Sequence, residues 1–453
     1  MVKISLVFPR TKYVTGDPPL GLAYIAAWIL KEFPHADVHI HDATFHGSLA
    51  RIEKELAKLN PSLVGIFSDT LMFSNAVRIA QFARGLGATV VVGGPHATVS
   101  AQSFRGTADY VVRGEGEQAF AAIIRQRMAG QRDEDTADTQ IVEQPDERSL
   151  SLDAIPFPAL ELLDMDRYVS AWSYLDSVDT ELRGTTMITS RGCPFRCAYC
   201  QPTLNMLFGS ALRRRSPENV IAEIVLLRER FGVGGIFFHD DTFTLDKAWV
   251  LKFCGLLKKD NNGLKWGCNS RIDTVDGPLL EEMHAAGLRN IHFGIEAASQ
   301  RVLDEVYHKG TRVCGTKNIL AAAKKIGIST LGFFMLGAPT ETLDEIQSTV
   351  DLACRLPLDE ASFSIVTPLP GTFLREKVNA LPGYGLSSDF KDYDVYRTSP
   401  VIKGGVSRRR LKFIQKKSLF FFYGSPKRIA YLLRHLLSLN GMRKLLYKLR
   451  RYV

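Results

Sequence analysis

Three cysteines lie close together near the middle of the 453-residue chain, at Cys193, Cys197 and Cys200. Three residues separate the first pair and two separate the second, within a loop that contains glycine and proline. Structural zinc sites take four protein ligands, and neither a fourth cysteine nor a histidine stands nearby. A four-iron cluster held by three thiolates keeps one iron open to a substrate or cofactor. The spacing therefore favours an iron–sulfur cluster over the plainer alternative, in which these cysteines are small packing residues.

The rest of the composition describes an ordinary globular protein. Hydrophobic residues make up 45% and charged residues 23%, which excludes disordered, collagen-like and coiled-coil classes. Seven cysteines in total, an odd number, do not form a disulfide framework, so a reducing cytoplasm is expected. We expect no signal peptide and no membrane-spanning helix. Cys254, Cys314 and Cys354 fall in predicted helices and are expected to be packing residues.

Two runs of alternating strand and helix patterns must position the chemistry. In the first run the predicted strands cover residues 4–8, 37–40, 63–67, 89–92 and 110–112. In the second run they cover residues 186–189, 235–239, 265–268, 290–293, 330–335 and 361–367. Short Val/Ile/Leu strands alternating with helices predict parallel sheets, whose ligands bind beyond the carboxyl ends of the strands. Ser216 and Pro217 predict the start of the helix after the cysteines.

These patterns define an α/β chain in four parts. Residues 1–130 are predicted to form a flavodoxin- or Rossmann-like domain, and residues 131–184 an acid-rich linker. Residues 185–375 are predicted to form a partial (β/α)6 TIM-like barrel, since six strand–helix units are too few for the full eight. Residues 376–453 are predicted to form a basic helical region.

The positive charge is confined to the C-terminal region. Residues 395–453 contain 16 Lys and Arg and no acidic residue, so the formal +9 of the chain divides into −7 for residues 1–394 and +16 for the rest. Three interpretations stay open: helices that pack on the barrel, a peripheral membrane anchor, and a nucleic-acid contact. The last is not expected, because the aromatic residues form one contiguous run, not a spaced stacking platform.

The CxxxCxxC motif, with Tyr199 before its last cysteine, resembles that of the radical S-adenosylmethionine (SAM) superfamily. The resemblance covers residues 185–372 and implies a [4Fe-4S] cluster on Cys193, Cys197 and Cys200. Motifs at successive strand ends resemble the SAM contacts of that family. The residues so implied are Tyr199, Asp240, Asp241, Ser270, Arg271, Glu296, Gly337 and Pro339.

The chemistry of these side chains agrees with the parts of SAM. A strand-end Asp can pair with the ammonium group, Arg271 can grip the carboxylate in bidentate fashion, and Glu296 can accept hydrogen bonds from hydroxyls. Each has a plainer alternative. Asp240 or Asp241 can cap the following helix, and Arg271 can form a surface ion pair with Asp273 or Glu296. Glu341 is expected to be an acid in the first turn of a helix and not a ligand contact.

The first 128 residues resemble the cobalamin-binding domain of the cobalamin-dependent radical SAM subfamily. Three short motifs support this, at residues 18–22, 93–98 and 113–117. The residues implied to face the corrin are Arg10, Ser68, Thr70, Gly93, Gly94, His96, Arg113, Gly114 and Glu115. Residues 9–12 lack the Asp-x-His-x-x-Gly pattern, so we expect no protein imidazole on cobalt. His96 is expected to be hydrogen-bonded and structural, and retention of the domain without its cofactor stays an alternative.

The resemblance implies a radical enzyme that uses a [4Fe-4S] cluster, SAM and cobalamin to functionalise an unactivated carbon. C-methylation of a small-molecule or lipid-like substrate is the expected reaction, with cyclisation or rearrangement as the alternative. A reductant such as flavodoxin or ferredoxin is the expected partner. A cytoplasmic location is expected, with peripheral membrane association through the C-terminal region left open. A cofactor-binding sensor without turnover is the competing class, and no catalytic residue is identified.

Overall fold

The protein is described from a computed structural model. The structure describes the chain except residues 1, 10–13, 15, 47, 130–138, 144–149, 176–181, 261–262, 427, 431–432, 434–437 and 453. The described chain divides into two compact units. The first unit consists of residues 1–165 and 202–213, and the second of residues 166–201 and 214–453.

The first unit contains one six-stranded parallel sheet, as the sequence predicts for its five apolar strands. Its strands are β1 (Lys3–Phe8), β2 (Asp37–Asp42), β3 (Leu63–Phe67), β4 (Thr89–Gly93), β5 (Tyr110–Arg113) and β6 (Gln140–Glu143). The order across the sheet is β2-β1-β3-β4-β5-β6, the flavodoxin-like order with one added strand. In such sheets ligands bind where the strand order reverses, which here is between the carboxyl ends of β1 and β3.

Helices cover both faces of this sheet. They are α1 (Leu20–Glu32), α2 (Ala50–Leu59), α3 (Phe73–Gly85), α4 (Pro95–Val99) and α5 (Glu117–Met128). Alternate residues along β4 point to opposite faces, so Val90 and Val92 pack with α2 and α3 while Val91 packs with α1 and α5. Two apolar layers therefore hold the strand ends in fixed positions.

The interval predicted as a linker contains a strand. Strand β6 pairs in parallel with β5, in the register Tyr110 with Gln140 and Arg113 with Glu143. The sequence did not indicate it because only two apolar residues, Ile141 and Val142, stand in an acid-rich stretch. An edge strand needs only backbone partners on one side and one covered face, so weak apolar periodicity suffices.

The second unit contains the predicted open (β/α)6 sheet, with six parallel strands in the order β14-β13-β12-β11-β10-β7. These strands are β7 (Gly184–Met187), β10 (Gly235–Phe238), β11 (Lys265–Ser270), β12 (Leu288–Glu296), β13 (Ser329–Leu336) and β14 (Glu360–Ile365). Short two- or three-residue strands form two further pairs: β8 (Ser190–Arg191) with β9 (Arg213–Arg214), and β15 (Gly385–Leu386) with β16 (Val401–Lys403). Each pair of neighbouring main strands has its carboxyl ends at the same edge.

Helices separate the strands of the second unit. They are α6 (Met165–Leu175), α8 (Pro217–Phe231), α9 (Lys247–Asp260), α10 (Gly277–Ala285), α11 (Thr316–Ile326), α12 (Leu343–Arg355), α13 (Phe373–Ala380), α14 (Arg408–Tyr423) and α15 (Leu439–Tyr452), while α7 (Thr203–Phe208) belongs to the first unit. The prediction for Ser216 is confirmed: its side chain accepts a hydrogen bond from the backbone N–H of Asn219, and Pro217 opens α8.

The C-terminal helices cover the outer edge of β14, which has no described strand beside it on that side. Gln415 donates to the carbonyl of Phe363 at 2.8 Å, and the Tyr423 hydroxyl bonds both the N–H and the C=O of Ala361 at 3.3 Å. An uncovered sheet edge presents unpaired backbone groups, and these side chains satisfy them. The interpretation that the basic region packs on the barrel is therefore confirmed for α14.

Arg428 anchors the chain after α14. Its guanidinium is buried and lies 3.7 Å from the ring centre of Phe422. It donates to the backbone carbonyls of Ala353, Cys354, Leu356, Leu358 and Phe422. Carbonyls in the last turn of a helix have no partner within the helix, so this one side chain caps α12. Lys444 adds a buried ion pair with Glu360 at 3.4 Å.

The structure separates the four remaining cysteines. Cys254 in α9 and Cys268 in β11 are buried, and Cys354 in α12 is partly buried. Cys314 is exposed and precedes α11, so the prediction that it packs inside a helix is wrong. In the part of the chain that the structure describes, no helix is long and apolar enough to cross a membrane.

Candidate active site

The predicted SAM-contact residues converge at the carboxyl edge of the second sheet. Asp240 and Asp241 follow β10, and Ser270 and Arg271 lie at the end of β11. Glu296 ends β12, and the turn with Gly337 and Pro339 follows β13. Because parallel neighbours end at one edge, residues far apart in the sequence come into contact, such as Tyr199 and Glu296, which are 97 residues apart.

The cysteine loop is held by backbone hydrogen bonds on both sides. Ala198 donates to the carbonyl of Tyr307 at 2.7 Å and accepts from the N–H of Leu374 at 2.9 Å. Gln201, nearly fully buried, donates through its side chain to the carbonyls of Cys193 and Phe195. The loop is therefore preorganised by contacts from distant segments, although it has little regular structure of its own.

Asp240 fixes the start of this loop. Its carboxylate, 1% exposed, accepts from the backbone and hydroxyl of Thr189 and from the hydroxyl of Ser190. The alternative that Asp240 or Asp241 caps the next helix is wrong, because Asp246 accepts from the N–H of Trp249 at the start of α9. Asp241 is exposed at the strand end.

Arg271 is buried and forms an ion pair with Asp273, one of the two partners that the plainer alternative names. Its guanidinium makes a bidentate pair with Asp273, at 3.0 and 2.8 Å, and donates to the carbonyl of Lys309 at 2.9 Å. One face stacks on the ring of Phe195 at 3.6 Å, and Nη1 lies 3.8 Å from the Sγ of Cys197. The pair holds the guanidinium directly against the cysteine loop and is not a surface ion pair.

A buried charged network lies beside the last cysteine. Glu296 Oε1 accepts from the Nζ of Lys309 at 2.8 Å and from the hydroxyl of Tyr199 at 3.3 Å. Lys309 Nζ also donates to the Tyr199 hydroxyl at 3.1 Å, and both charged residues are under 7% exposed. Glu296 has φ +66° at a bulge in β12, and Gly294 leaves room for the pair, because a Cβ there would come within 2.5 Å of Oε1.

Sequence reasoning did not find Lys309. It stands in an irregular segment, residues 307–315, with no metal-ligand or phosphate-loop spacing around it. The only sequence signal is a single lysine next to a glycine, which is typical of many exposed turns. Its role depends on the bulge that aims Glu296 inward, which the sequence pattern does not show.

The turn after β13 is held by Glu341, which the sequence predicted to lie in the first turn of a helix. Glu341 lies before α12, and its Oε2 accepts from the backbone N–H groups of Gly337 and Ala338 at 2.7 and 2.8 Å. Thr342 is the helix cap instead, in a capping box with Glu345. Burial raises the pKa of Glu341 to about 7. The prediction of a first-turn acid is therefore wrong, and the residue shapes the Gly337–Pro339 turn.

The residues of this edge fit an iron–sulfur cluster and SAM. Cys193, Cys197 and Cys200 carry free thiols, and burial raises the pKa of Cys193 and of Cys200. Carboxylates, a guanidinium and an ammonium surround the cysteine loop, and this donor set matches the zwitterionic amino acid and the diol of SAM.

In the first unit, the predicted corrin contacts lie at the ends of β3, β4 and β5. The Ser68 N–H donates to the carbonyl of Gly93 at 2.8 Å, and Ser68 is buried. Gly94 has φ +105°, and a Cβ there would come within 2.8 Å of the Ser68 carbonyl oxygen. Only glycine fits this turn, which brings two strand ends together.

His96 is a buried structural residue. Its Nδ1 lies 3.1 Å from the Thr70 hydroxyl and its Nε2 3.3 Å from the Ser103 hydroxyl. The ring also packs against Phe73 and Phe104. Both ring nitrogens are engaged by hydroxyls, so the expectation that His96 is hydrogen-bonded and structural agrees with its surroundings.

The end of β5 is tied to α4 through Thr98. Arg113 donates to the Thr98 carbonyl at 2.9 Å, and the Gly114 N–H donates to its hydroxyl at 3.1 Å. Glu115 forms an ion pair with Arg213. Arg10, the remaining predicted corrin contact, lies outside the described residues.

This strand edge fits a large planar ligand such as a corrin. Gly93 is partly exposed, and a Cβ built there would meet nothing closer than 3.9 Å, so space remains above it. Ser68, Thr70 and Thr98 place short polar side chains around the two glycines, and the site lies next to the point where the strand order reverses.

Comparisons with known proteins identify the family to which the chain belongs. The profile of the Radical SAM superfamily matches residues 187–353, and that of the B12 binding domain matches residues 12–124. An uncharacterized methyltransferase of Pyrococcus horikoshii is 33% identical over 446 residues, which is 94% of each chain. An anaerobic magnesium-protoporphyrin IX monomethyl ester cyclase of Rubrivivax gelatinosus is 28% identical over 85% of this chain and 70% of its own.

A solved structure shares the fold. The radical S-adenosylmethionine methyltransferase TsrM from Kitasatospora setae, with cobalamin and a [4Fe-4S] cluster bound, superposes with a TM-score of 0.68 at 17% identity. The match covers 86% of this chain and 78% of TsrM. The chain belongs to the cobalamin-binding radical SAM superfamily. Its cofactors are therefore a [4Fe-4S] cluster, SAM and cobalamin.

Proposed function

We propose that the protein methylates an unactivated carbon of a small-molecule substrate. The observation that carries the proposal is the buried network of Glu296, Lys309 and Tyr199, packed against a CxxxCxxC loop in a chain that also has a B12 binding domain. The relative from Pyrococcus horikoshii and the structural neighbour TsrM are both named methyltransferases, which supports methyl transfer as the outcome.

At the carboxyl edge of the second sheet, Cys193, Cys197 and Cys200 would hold the cluster. When bound, the cluster, SAM and cobalamin supply hydrogen abstraction from the substrate carbon and the methyl group. The surrounding sheet and loops would position the substrate and exclude water from its reacting carbon. A one-electron reductant of the flavodoxin or ferredoxin type would serve the cluster.

Seven further residues would bind SAM. We assign the ammonium to the exposed Asp241, because the carboxylate of Asp240 is occupied by Thr189 and Ser190. Glu296 would accept from ribose hydroxyls, with Lys309 offsetting its charge. Arg271, next to Ser270, would face the SAM carboxylate with the Nη1 edge that points toward Cys197. Tyr199 and the Gly337–Pro339 turn would line the remaining wall.

In the first unit, the corrin would lie over the strand ends that carry Ser68, Thr70 and the two glycines. Arg113, Gly114 and Glu115 would border it on the β5 side, and Arg10 stays a corrin contact predicted from the sequence. His96 would support Thr70 from beneath, because both of its nitrogens face hydroxyls.

The test uses SAM with a deuterated methyl group. Anaerobically reconstituted protein with cobalamin and a reductant is incubated with a small-molecule extract, and products are analysed by mass spectrometry. We expect deuterated methyl in one product, together with 5′-deoxyadenosine. Cys197→Ala should abolish both, while Cys314→Ala, an exposed cysteine outside the site, should abolish neither. Deoxyadenosine without label in any product would contradict methyl transfer.

Cyclisation is the second candidate, because a cyclase is 28% identical over 85% of the chain. It predicts a product that has lost hydrogen and gained no label from SAM. A sensor without turnover predicts no reductive cleavage of SAM at all. The same incubation therefore separates all three.

We further propose that the substrate is hydrophobic or lipid-like. Support comes from the large exposed apolar side chains of the C-terminal helices, which would bring the enzyme to a phase where such a substrate is concentrated. Label recovered in the organic-solvent fraction of the extract is expected, and label confined to the aqueous fraction would contradict this substrate class.

A further inference from the structure

Helix α14 has two sharply different faces. Its buried residues are Leu411, Gln415, Ser418 and Phe422, spaced by four, three and four residues along one side. The opposite side carries exposed residues only: Arg409, Arg410, Phe413, Lys416, Lys417, Phe420 and Phe421. We name these seven residues the basic aromatic face. The helix is therefore fixed by its buried side and presents the other side to the surroundings.

The three aromatic rings of this face are among the most exposed large apolar side chains described. Phe413, Phe420 and Phe421 are 66%, 75% and 51% exposed. They span about two helical turns, or ~12 Å at 1.5 Å per residue. Contiguous exposed apolar side chains rimmed by polar ones mark interaction sites on soluble proteins.

Four cations flank the rings without any acid. Arg409, Arg410, Lys416 and Lys417 lie on the same side of the helix as the phenylalanines, and Lys417 lies 5.3 Å from the ring centre of Phe421. No Asp or Glu occurs between residues 395 and 453. The partner of this face must therefore be negatively charged at its surface and apolar just beneath it.

We propose that the basic aromatic face docks the protein on an anionic phospholipid bilayer. Such a bilayer has both required properties, since headgroup phosphates and serine carboxylates meet the cations while the rings enter the headgroup and acyl boundary. The buried side of α14 stays packed on β14, so docking needs no unfolding of the helix. The inference concerns attachment and stands whether or not methyl transfer is the reaction.

Two other occupants fit the face less well. Nucleic acid would contact the cations, but three phenylalanines on a convex helix offer no groove that tracks a phosphate backbone. A second copy of this chain would bring another set of cations against the first, and like charges repel. Helix α15 repeats the lipid-compatible composition, with Leu439, Leu446 and Arg443 exposed.

The test measures partitioning of the full-length, cofactor-loaded protein onto sucrose-loaded vesicles by sedimentation. Vesicles of phosphatidylcholine with about 30% phosphatidylserine, which have a strongly anionic surface, are compared with vesicles of phosphatidylcholine alone. We expect binding to the anionic vesicles that weakens as salt rises. Lys416→Gln/Lys417→Gln should lower the partition coefficient about 25-fold, since each lysine near the surface contributes about a factor of five.

The aromatic rings are tested separately. Phe420→Ser/Phe421→Ser should lower partitioning at least tenfold, on the order of the loss of one buried ring. Matched controls keep the same chemistry elsewhere: Met128→Ser, which changes a residue that is 60% exposed at the end of α5, and Lys324→Gln/Lys325→Gln on α11. Both controls should bind as the parent does.

Four results would overturn the proposal. The first is equal binding to neutral and anionic vesicles, and the second is a loss of vesicle binding in the control variants as large as in the variants of the basic aromatic face. The third is self-association that Phe420→Ser/Phe421→Ser abolishes, when neither the parent nor any variant binds vesicles. The fourth is binding to single-stranded RNA that outcompetes the vesicles at equal phosphate. SAM cleavage by each variant, measured without vesicles, confirms that the folded enzyme is being compared and separates attachment from catalysis.

Discussion

Glu341 provides a direct test of how the turn beside the SAM site is held. Its Oε2 accepts two backbone hydrogen bonds, and its Oε1 is buried with no hydrogen-bond partner among the described residues. Glutamine has nearly the same shape and its carbonyl oxygen can accept the same two bonds, but it cannot ionise. Glu341→Gln therefore removes the charge and preserves the turn.

The magnitude follows from the pKa. Burial raises the pKa of Glu341 from 4.5 to about 7 in the folded protein. A raised carboxyl pKa means that the folded state binds the proton more tightly, so the stabilisation is present below pH 4.5 and is lost as pH rises through 7. Between pH 5 and pH 8 the free energy of unfolding of the parent should fall by about 2–3 kcal/mol because of this one carboxyl group. The variant should show no such contribution.

The assay is urea unfolding of the chain at pH 5 and pH 8, followed by tryptophan fluorescence. Trp172, Trp249 and Trp266 are buried in the second unit and Trp28 in the first, so Trp28→Phe isolates the signal of the second unit. Other groups titrate equally in both proteins and cancel in the difference. The unfolding free energy of Glu341→Gln minus that of the parent should be larger at pH 8 than at pH 5 by about 2–3 kcal/mol.

Glu345→Gln is the matched control, one turn further along the chain. Hydrogen bonding to Arg301 lowers the pKa of Glu345 to about 2, so its stabilisation is present above pH 4.5 and is lost only as pH falls through 2. The Glu345→Gln difference should therefore stay nearly constant between pH 5 and pH 8. A Glu341→Gln difference that is equally constant would refute the reasoning, because it would mean that Glu341 is ionised and solvated in the folded protein.

Three further outcomes are expected. Lys309→Met should lower the free energy of unfolding by about 3–5 kcal/mol, because it leaves the buried Glu296 without its ion-pair partner. Adding Glu296→Gln should restore much of the loss, and strictly additive losses in urea unfolding would argue against a coupled pair. Gly94→Ala should weaken cobalamin binding at least tenfold, because the added Cβ would strain the turn and clash with the Ser68 carbonyl oxygen. Absorbance titration measures this, and Gly106→Ala, also at positive φ but in open space, should bind cobalamin as the parent does. Arg428→Gln should cost about 3 kcal/mol and speed hydrogen exchange at the Ala361 amide, while unchanged exchange would show that α14 docks without it.

Much of the fold could be predicted from the chain because its strands are short, apolar and separated by amphipathic helices. Strands β3 and β10 and the start of α8 at Pro217 carry strong local signals. Strand β6 does not, because an edge strand with Ile141 and Val142 as its only apolar residues is stabilised by pairing with β5 and not by its own pattern. The division of the chain into units likewise depends on contacts between segments far apart in sequence.

At the site, the chain order alone predicted which residue types meet at each strand end, through the spacing of Cys193 to Cys200 and the acids after successive strands. It did so because parallel strands share one edge, so order along the chain becomes adjacency in space. How these groups pair becomes visible only in the folded chain. The capture of Asp240 by Thr189, 51 residues away, and the pairing of Lys309 with Glu296 depend on a backbone bulge and on neighbouring segments. A buried charge is tolerable only with its partner in place, and that partner is selected by packing and not by local sequence.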